Sequence, residues 1–329
     1  MSALFVVAGP TASGKSALAL RLAAATGGVI VNADSMQLYR DLRIVTARPG
    51  AADEAQAPHR LFGILDAAEP ASVGRWLELA AGAIAEAAAA ARPAIVVGGT
   101  GLYLHALLHG LAPVPDIPEE VRAAARRRLT ERGVAALRAE LAERDPLMAA
   151  RLRPGDRQRL LRAYEVVVAT GRSLAAWQAM PPRRIALPER RFGLALMPPR
   201  AALSERIERR LRDMIAHGAL DELAALRRRG LSPDLPLMKA VAVPELLAYV
   251  SGCVDLDPAL ARAIVQTRRY AKRQITWLRH RLPELRRVPA FGESVELRAS
   301  AAGPVDLSRF AALGCDRPAG DRNGVLDPQ

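Results

Sequence analysis

The residues best suited to chemistry come at the start of the chain. Gly9-Pro10-Thr11-Ala12-Ser13-Gly14-Lys15-Ser16 has the G-x-x-x-x-G-K-S spacing of a phosphate loop. Two glycines let the backbone curl so that successive N–H groups converge on one anion, and a following helix adds its positive end. Lys15 supplies a point charge, and the Ser16 hydroxyl is placed to sit on a bound Mg²⁺. A chance glycine-rich turn is the alternative, and the flanks speak against it. Leu4-Phe5-Val6-Val7-Ala8 is a short apolar run suited to a buried strand, and Ala17-Leu18-Ala19-Leu20-Arg21-Leu22 is built of helix formers. A ligand carrying a di- or triphosphate is expected here.

The second candidate is Asp34. Val29-Ile30-Val31-Asn32 reads as a buried strand that delivers Asp34 and Ser35 to its carboxyl end, where open α/β sheets bind ligands. On these residues alone, a turn or helix-cap role for Asp34 stands equally well. A third strand, Ala94-Ile95-Val96-Val97, runs into Gly98-Gly99-Thr100-Gly101. Phosphate-loop hydrolases carry an acidic residue after such a strand to help hold Mg²⁺. Its absence here argues against a motor or GTPase.

The elements that must position these residues alternate. Thr26-Gly27-Gly28 closes the first helix, Ser72 caps an alanine-rich helix to about Ala91, and Phe192-Gly193-Leu194-Ala195-Leu196 returns as a strand. Residues 35–63 read as functional loops around short pieces. The expected fold class is α/β, a P-loop NTPase-like doubly wound parallel sheet with an all-helical insertion domain. Residues 1–112 form the first part of the core, residues 113–189 the insertion, and residues 190–288 the second part with a basic C-terminal helix. Residues 289–329 are expected to be a poorly ordered tail. Within the insertion, Asp145-Pro146 and Ser173 serve as caps, and Gly171 breaks a helix.

Composition bounds the function. The chain has 329 residues, half of them hydrophobic, and a net charge of +13. Residues 1–112 hold 8 basic and 8 acidic side chains, residues 113–189 hold 15 and 10, and residues 190–329 hold 24 and 16. A neutral phosphate-loop segment joined to a basic remainder points to a polyanionic partner held by the remainder. Genome bias explains Arg over Lys, but not the excess over acid. The helix expected from about Asp257 to Arg281 carries Ile264, Ala271, Ile275, Leu278 and, just past its end, Leu282 on its apolar face. Arg268, Arg269, Lys272, Arg273 and Arg279 lie on the others. A solvated surface explains such a run as well, but Tyr270 and Trp277 among the cations suit RNA. No run of ~18 apolar residues and no basic leader is present. Cys253 and Cys315 make no metal-binding or disulfide pattern. A cytoplasmic protein without membrane contact is expected.

Together these stretches carry a resemblance. Residues 9–16, Asn32-Ala33-Asp34-Ser35 with Gln37 and Tyr39, and Thr46-Ala47-Arg48-Pro49 agree with the bacterial tRNA dimethylallyltransferase (tRNA isopentenyltransferase) family. So do Pro58-His59-Arg60-Leu61, Val97 to Tyr103, Asp156 to Leu160, Arg206 to Arg210 and Lys272 to Arg279. The chain resembles that family to about residue 282. The resemblance implies transfer of a dimethylallyl group from dimethylallyl diphosphate to the exocyclic N6 of the adenosine 3′ of the anticodon, in tRNAs reading codons that begin with U. Mg²⁺, a tRNA anticodon stem-loop as partner, and a monomer are expected with it.

By the family pattern, Asp34 is the general base, Thr100 lies in the channel where adenine meets the allyl group, and Arg210 is a further cation on the diphosphate. Gly9, Pro10, Thr11, Ala12, Ser13, Gly14, Lys15 and Ser16 would hold the diphosphate, with Ser16 on the metal. The implied RNA contacts are Asp34, Ser35, Met36 and Gln37, then Arg122, then Gln158, Arg159, Leu160, Leu161 and Arg162. They continue with Lys239, Ala240, Val241, Ala242, Val243 and Pro244, and with Lys272, Arg273, Gln274, Ile275, Thr276, Trp277, Leu278 and Arg279. One departure stands out. Many members have Gly-Tyr where this chain has Ala242-Val243, so no tyrosine contact is available there. Ser16 and Arg48 replace Thr and Lys of common relatives. The competing readings are a P-loop small-molecule kinase, a prenyltransferase of free adenine nucleotides, and a non-catalytic RNA-binding protein.

Overall fold

The computed structural model describes residues 3–297 and 310–313. In chain order the first elements are β1 (Ala3–Ala8), α1 (Lys15–Thr26), β2 (Val29–Asn32), α2 (Ala51–Gln56), β3 (His59–Arg60), α3 (Val73–Ala89), β4 (Ala94–Gly98) and α4 (Gly101–His109). Then come α5 (Glu119–Arg144), α6 (Pro146–Arg151), α7 (Arg157–Thr170) and α8 (Leu174–Gln178). The chain continues through β5 (Arg190–Leu196), α9 (Arg200–Ala216), α10 (Ala219–Arg228), α11 (Val243–Val250), α12 (Leu256–Arg281), β6 (Arg286–Val288) and β7 (Ala311–Ala312).

The strands form one sheet in the order β3-β2-β4-β1-β5-β6. Every pair along that path is parallel, and β7 adds antiparallel to the start of β5. Strands buried on both faces read as continuous apolar runs. Leu4, Val6, Val7 and Ile95 accordingly have no exposed surface, and each such Val, Ile or Leu contributes roughly 1.5–3 kcal/mol by its burial. The Phe5 ring stacks on Phe192 at 5.4 Å and meets Phe310 edge-on at 5.5 Å.

The register sets the strand ends level. Ala8 lies opposite both Gly98 and Ala195, and Asn32 lies opposite Val97. The loops after β1, β2, β4 and β6 therefore open on one edge of the sheet, and α9 starts from that edge after β5. Gly98 is required there, because a Cβ would run into the Ala33 carbonyl.

Two compact units divide the described chain. One comprises the sheet with its helices; the other runs from His109 to Arg184. The second is helical throughout, with Leu137, Leu141, Leu160 and Ala163 fully buried or nearly so. Gly133, at φ 78°, kinks α5. Asp145 and Ser173 accept amide hydrogen bonds as N-caps, and Gly171 ends α7 in the left-handed region.

The stretch from residue 289, expected to be a tail, contributes to the sheet unit. Val295, Phe310 and Leu313 are buried, and β7 pairs with β5. The reason is tertiary: β6 pairs only with Leu194–Leu196 of β5, which leaves Phe192 and Gly193 on that side for β7. The remaining residues of that stretch, 298–309 and 314–329, lie outside the described residues.

Candidate functional site

The phosphate loop leaves β1 and turns directly into α1. Gly14 takes a left-handed φ of 83° just before the helix, and Ala12 takes φ 61°, a strained value for a residue with a side chain. Around the loop opens a cavity of about 450 Å³, lined by residues 11–17 together with Asp34, Gln37, Arg206, Arg209, Arg210, Asp213 and Glu293. Lys15 Nζ donates to the Pro10 carbonyl at 2.7 Å. Burial pulls the Lys15 ammonium down to about 8; Asp34 works against that shift and Arg210 adds to it. Ser13 Oγ is buried with no protein partner.

Asp34 is fixed by the end of β2. Asn32 is fully buried; its side chain accepts from the Asp34 amide at 2.7 Å and donates to the Asp34 carbonyl at 2.9 Å. The Asp34 carboxylate accepts from the Met36 amide at 3.0 Å through Oδ1. Asn32 is held in turn from α3, where Trp76 Nε1 donates to its carbonyl at 2.8 Å and the indole stacks on Tyr103 at 4.4 Å. Thr100 Oγ1 accepts from the Ser35 amide at 3.0 Å, so the loops after β2 and β4 are joined. Gln37 donates to the carbonyls of Thr46 and Ala47 at 2.9 and 3.0 Å.

A second cavity, of about 220 Å³, adjoins the first. Val45, Ile207, Leu211, Met214, Pro236 and Val241 make it largely apolar. Thr11, Ala12, Asp34, Thr46 and Arg210 line both cavities, so Asp34 and Arg210 stand where they meet. Burial, then the charge of Arg206, lower the Arg210 guanidinium from its ordinary value, and Asp34 opposes them.

Helix α12 reaches the same edge. Gln274 is buried, accepts from the Thr11 amide at 2.8 Å and donates to the Gly99 carbonyl at 2.9 Å. Tyr270 lines the apolar cavity, with the side chains of Thr100 and Gln274 close to its hydroxyl. Burial pushes that phenol well above its ordinary value.

The remaining expected residues divide between the units. Lys272, Arg273 and Arg279 are exposed on α12, whereas Gln274 and Leu278 face the core. Trp277, expected among the cations, turns inward: its ring covers Gly101, and its Nε1 is buried without a partner. Lys239 pairs with Asp234 at 2.8 Å; Ala240, Val241 and Ala242 line the apolar cavity. Ala242 precedes α11 at φ 72°, so the chain sets an alanine in a glycine-favouring conformation. Val243 is buried and Pro244 exposed. In the helical unit Gln158 and Arg159 are exposed, Leu160 is core, and Arg162 faces Glu165 at 3.7 Å. Arg122 buries its Nε without a partner.

Sequence reasoning missed the parts that Arg206, Glu293, Tyr270 and the apolar lining play in the site. For Arg206 a signal existed: it lies four residues before Arg210, on the same helix face.

The chain is similar to proteins of one family. A family model described as IPP transferase matches residues 37–281, and one described as isopentenyl transferase matches residues 2–67. A tRNA dimethylallyltransferase of Rhodospirillum rubrum is 56% identical over 307 residues, covering 93% of each chain. One of Methylocella silvestris is 56% identical over 280 residues, 84% of this chain and 92% of that one. Among solved structures, the full-length tRNA isopentenylpyrophosphate transferase of Bacillus halodurans is 34% identical at a TM-score of 0.59, covering 84% of this chain and 87% of its own. A eukaryotic dimethylallyltransferase solved while acting on tRNA is 26% identical at a TM-score of 0.68, covering 84% and 70%.

Proposed function

Since the chain belongs to the IPP transferase family, we propose that its two adjoining cavities bring dimethylallyl diphosphate and a tRNA adenosine together at Asp34. The protein is an enzyme, a prenyltransferase. It moves the dimethylallyl group from dimethylallyl diphosphate to the exocyclic N6 of the adenosine 3′ of the anticodon, in tRNAs reading codons that begin with U, and releases diphosphate. The observation that carries the assignment of roles is the shared wall: Asp34 and Arg210 line both the polar and the apolar cavity.

The diphosphate would lie in the polar cavity on the amides of residues 11–16, with Lys15 and Arg210 on its oxygens. The allyl group and adenine would meet in the apolar one. The N6 lone pair attacks the allylic carbon, the carbon–oxygen bond breaks, and its electron pair leaves with the diphosphate. Cations fixed in place stabilise that charge as it grows. The adenine amine is a weak nucleophile, so Asp34 takes its proton. Asp34 suits that role because the Met36 amide occupies only one of its oxygens. Thr100, set by the Ser35 amide, would position the base. A base stacked in an anticodon loop must be flipped out to enter. Lys272, Arg273 and Arg279 in the sheet unit, and Arg122 and the α7 residues in the helical unit, are proposed as RNA contacts.

Mg²⁺ fits the donor set. Ser16 lines the polar cavity beside the loop, where a cation would be held by one protein hydroxyl, diphosphate oxygens and water. Ser16 would supply the hydroxyl, and the cation would neutralise charge on the leaving group. The proposal extends to a monomer acting in the cytoplasm.

The purified protein with Mg²⁺ should consume dimethylallyl diphosphate only when an anticodon stem-loop is present, and without ATP. Lys15→Ala and Arg210→Ala should each slow it by about 10²-fold or more. An absolute ATP requirement would support a kinase instead.

A further inference from the structure

Phosphate loops commonly serve nucleoside triphosphates, so something in this one must restrict it to the short donor. We propose that Glu293 is a specificity-determining residue that limits the loop to a diphosphate and rejects triphosphates. The inference rests on the reading that a diphosphate occupies the polar cavity.

Glu293 sits in the Gly292–Ser294 turn, four residues after β6 leaves the ligand-binding edge of the sheet. The turn is sealed onto the loop. The Gly292 amide donates to the Ser13 carbonyl at 2.9 Å. A Cβ on Gly14 would lie 2.7 Å from the Gly292 nitrogen, so the two backbones are in contact. Arg21 donates to the carbonyls of Gly292 and Glu293 at 3.2 and 3.0 Å, and Val295 anchors the far side in the core. On the Gly14 side, then, the protein packs directly against the loop, and Glu293 is held at the wall of the phosphate cavity.

The side chain adds charge to that wall. The Glu293 carboxylate lines the phosphate cavity and takes two hydrogen bonds from Arg206, at 3.0 and 2.6 Å. The Arg206 guanidinium lies over the Phe291 ring at 4.8 Å, which holds the pair in place. Arg206 keeps the Glu293 carboxyl below the usual carboxylate range, so it is ionised near neutral pH. On the proposed reading a diphosphate is held by Lys15 and Arg210, and Glu293 lines the same cavity beside them. A third phosphoryl group brings further negative charge against a fixed carboxylate in a partly enclosed site, where repulsion is poorly screened.

The test is calorimetric binding of inorganic diphosphate and inorganic tripolyphosphate to the full chain with Mg²⁺. The wild type should prefer diphosphate by about tenfold or more, and Glu293→Gln should cut that preference by about tenfold, mainly by tighter tripolyphosphate binding. Glu293→Ala should act in the same direction. Glu293→Asp, which keeps the charge, should retain the preference. Equal wild-type affinities, or an unchanged preference in folded Glu293→Gln or Glu293→Ala, would overturn the proposal and leave Glu293 a structural ion-pair partner. The reading of the loop itself is tested separately: if Lys15→Ala binds diphosphate as the wild type does, that reading fails whatever Glu293 does.

Discussion

Gln274 Oε1 accepts a hydrogen bond from the Thr11 amide at 2.8 Å, which fastens the long basic helix α12 to the phosphate loop. Its other amide atom, Nε2, reaches the Gly99 carbonyl at 2.9 Å. One buried side chain thus ties together the loops after β1 and β4 and the helix that carries Lys272 and Arg273.

Gln274→Leu keeps much of the volume but strands the Thr11 amide and the Gly99 carbonyl. Leaving buried groups unpaired costs about 1–3 kcal/mol. Because Thr11 belongs to the donor site, KM for dimethylallyl diphosphate should also rise by about tenfold, and Gln274→Glu, which keeps the acceptor, should recover part of it. A lower Tm with unchanged KM in both variants would confine Gln274 to packing.

Much of the fold is legible locally. The apolar runs at β1, β2 and β4 form strands where expected, Ser72 caps α3, and the helical spacing of the apolar residues in α12 puts Ile264, Ala271 and Leu278 in the core. What escapes a local reading is the pairing of distant residues. Nothing near Gly292 in sequence signals that its amide meets Ser13, and Ala311–Ala312 is too short for a strand pattern. Glu222 has the sequence setting of a surface acid on α10. Instead it accepts from the amides of Arg43, Ile44 and Val45, and so sets the loop that brings Val45 and Thr46 to the cavities. Tyr270 and Trp277 stand among charged neighbours in the sequence, but helix rotation turns both inward.

Lys15 gives the donor-free protein a specific pH dependence. Its pKa falls from 10.5 to about 8 on folding, so the charged form is disfavoured in the native state. Below about pH 8 this penalty is fully present. Between about 8 and 10.5 the unfolded chain binds more protons, so stability rises with pH. Relative to Lys15→Met, the wild type should gain about 1.4 kcal/mol from pH 7 to pH 9, read from denaturant unfolding of both. A difference that stays flat across that window would mean the ammonium carries no burial penalty.

On the RNA side, Lys272→Ala with Arg273→Ala should weaken stem-loop binding. The slope of affinity against salt should fall by roughly one unit for each phosphate that the variant no longer neutralises. Turnover at saturating RNA should change much less. Binding equal to the parent at every salt concentration would make this helix face a solvated surface and nothing more.

The central claim is that Asp34, at the junction of the two cavities, takes the proton from N6. Asp34→Asn keeps the shape and the acceptor for the Met36 amide but cannot accept that proton. The most direct measurement is its single-turnover rate with saturating donor and stem-loop, alongside separately measured affinities for each. The account predicts near-normal binding of both and a chemical step slower by about 10²–10⁴-fold. Near-wild-type chemistry in the folded variant, with or without weaker RNA binding, would contradict it and leave Asp34 a residue of the turn or of adenine recognition.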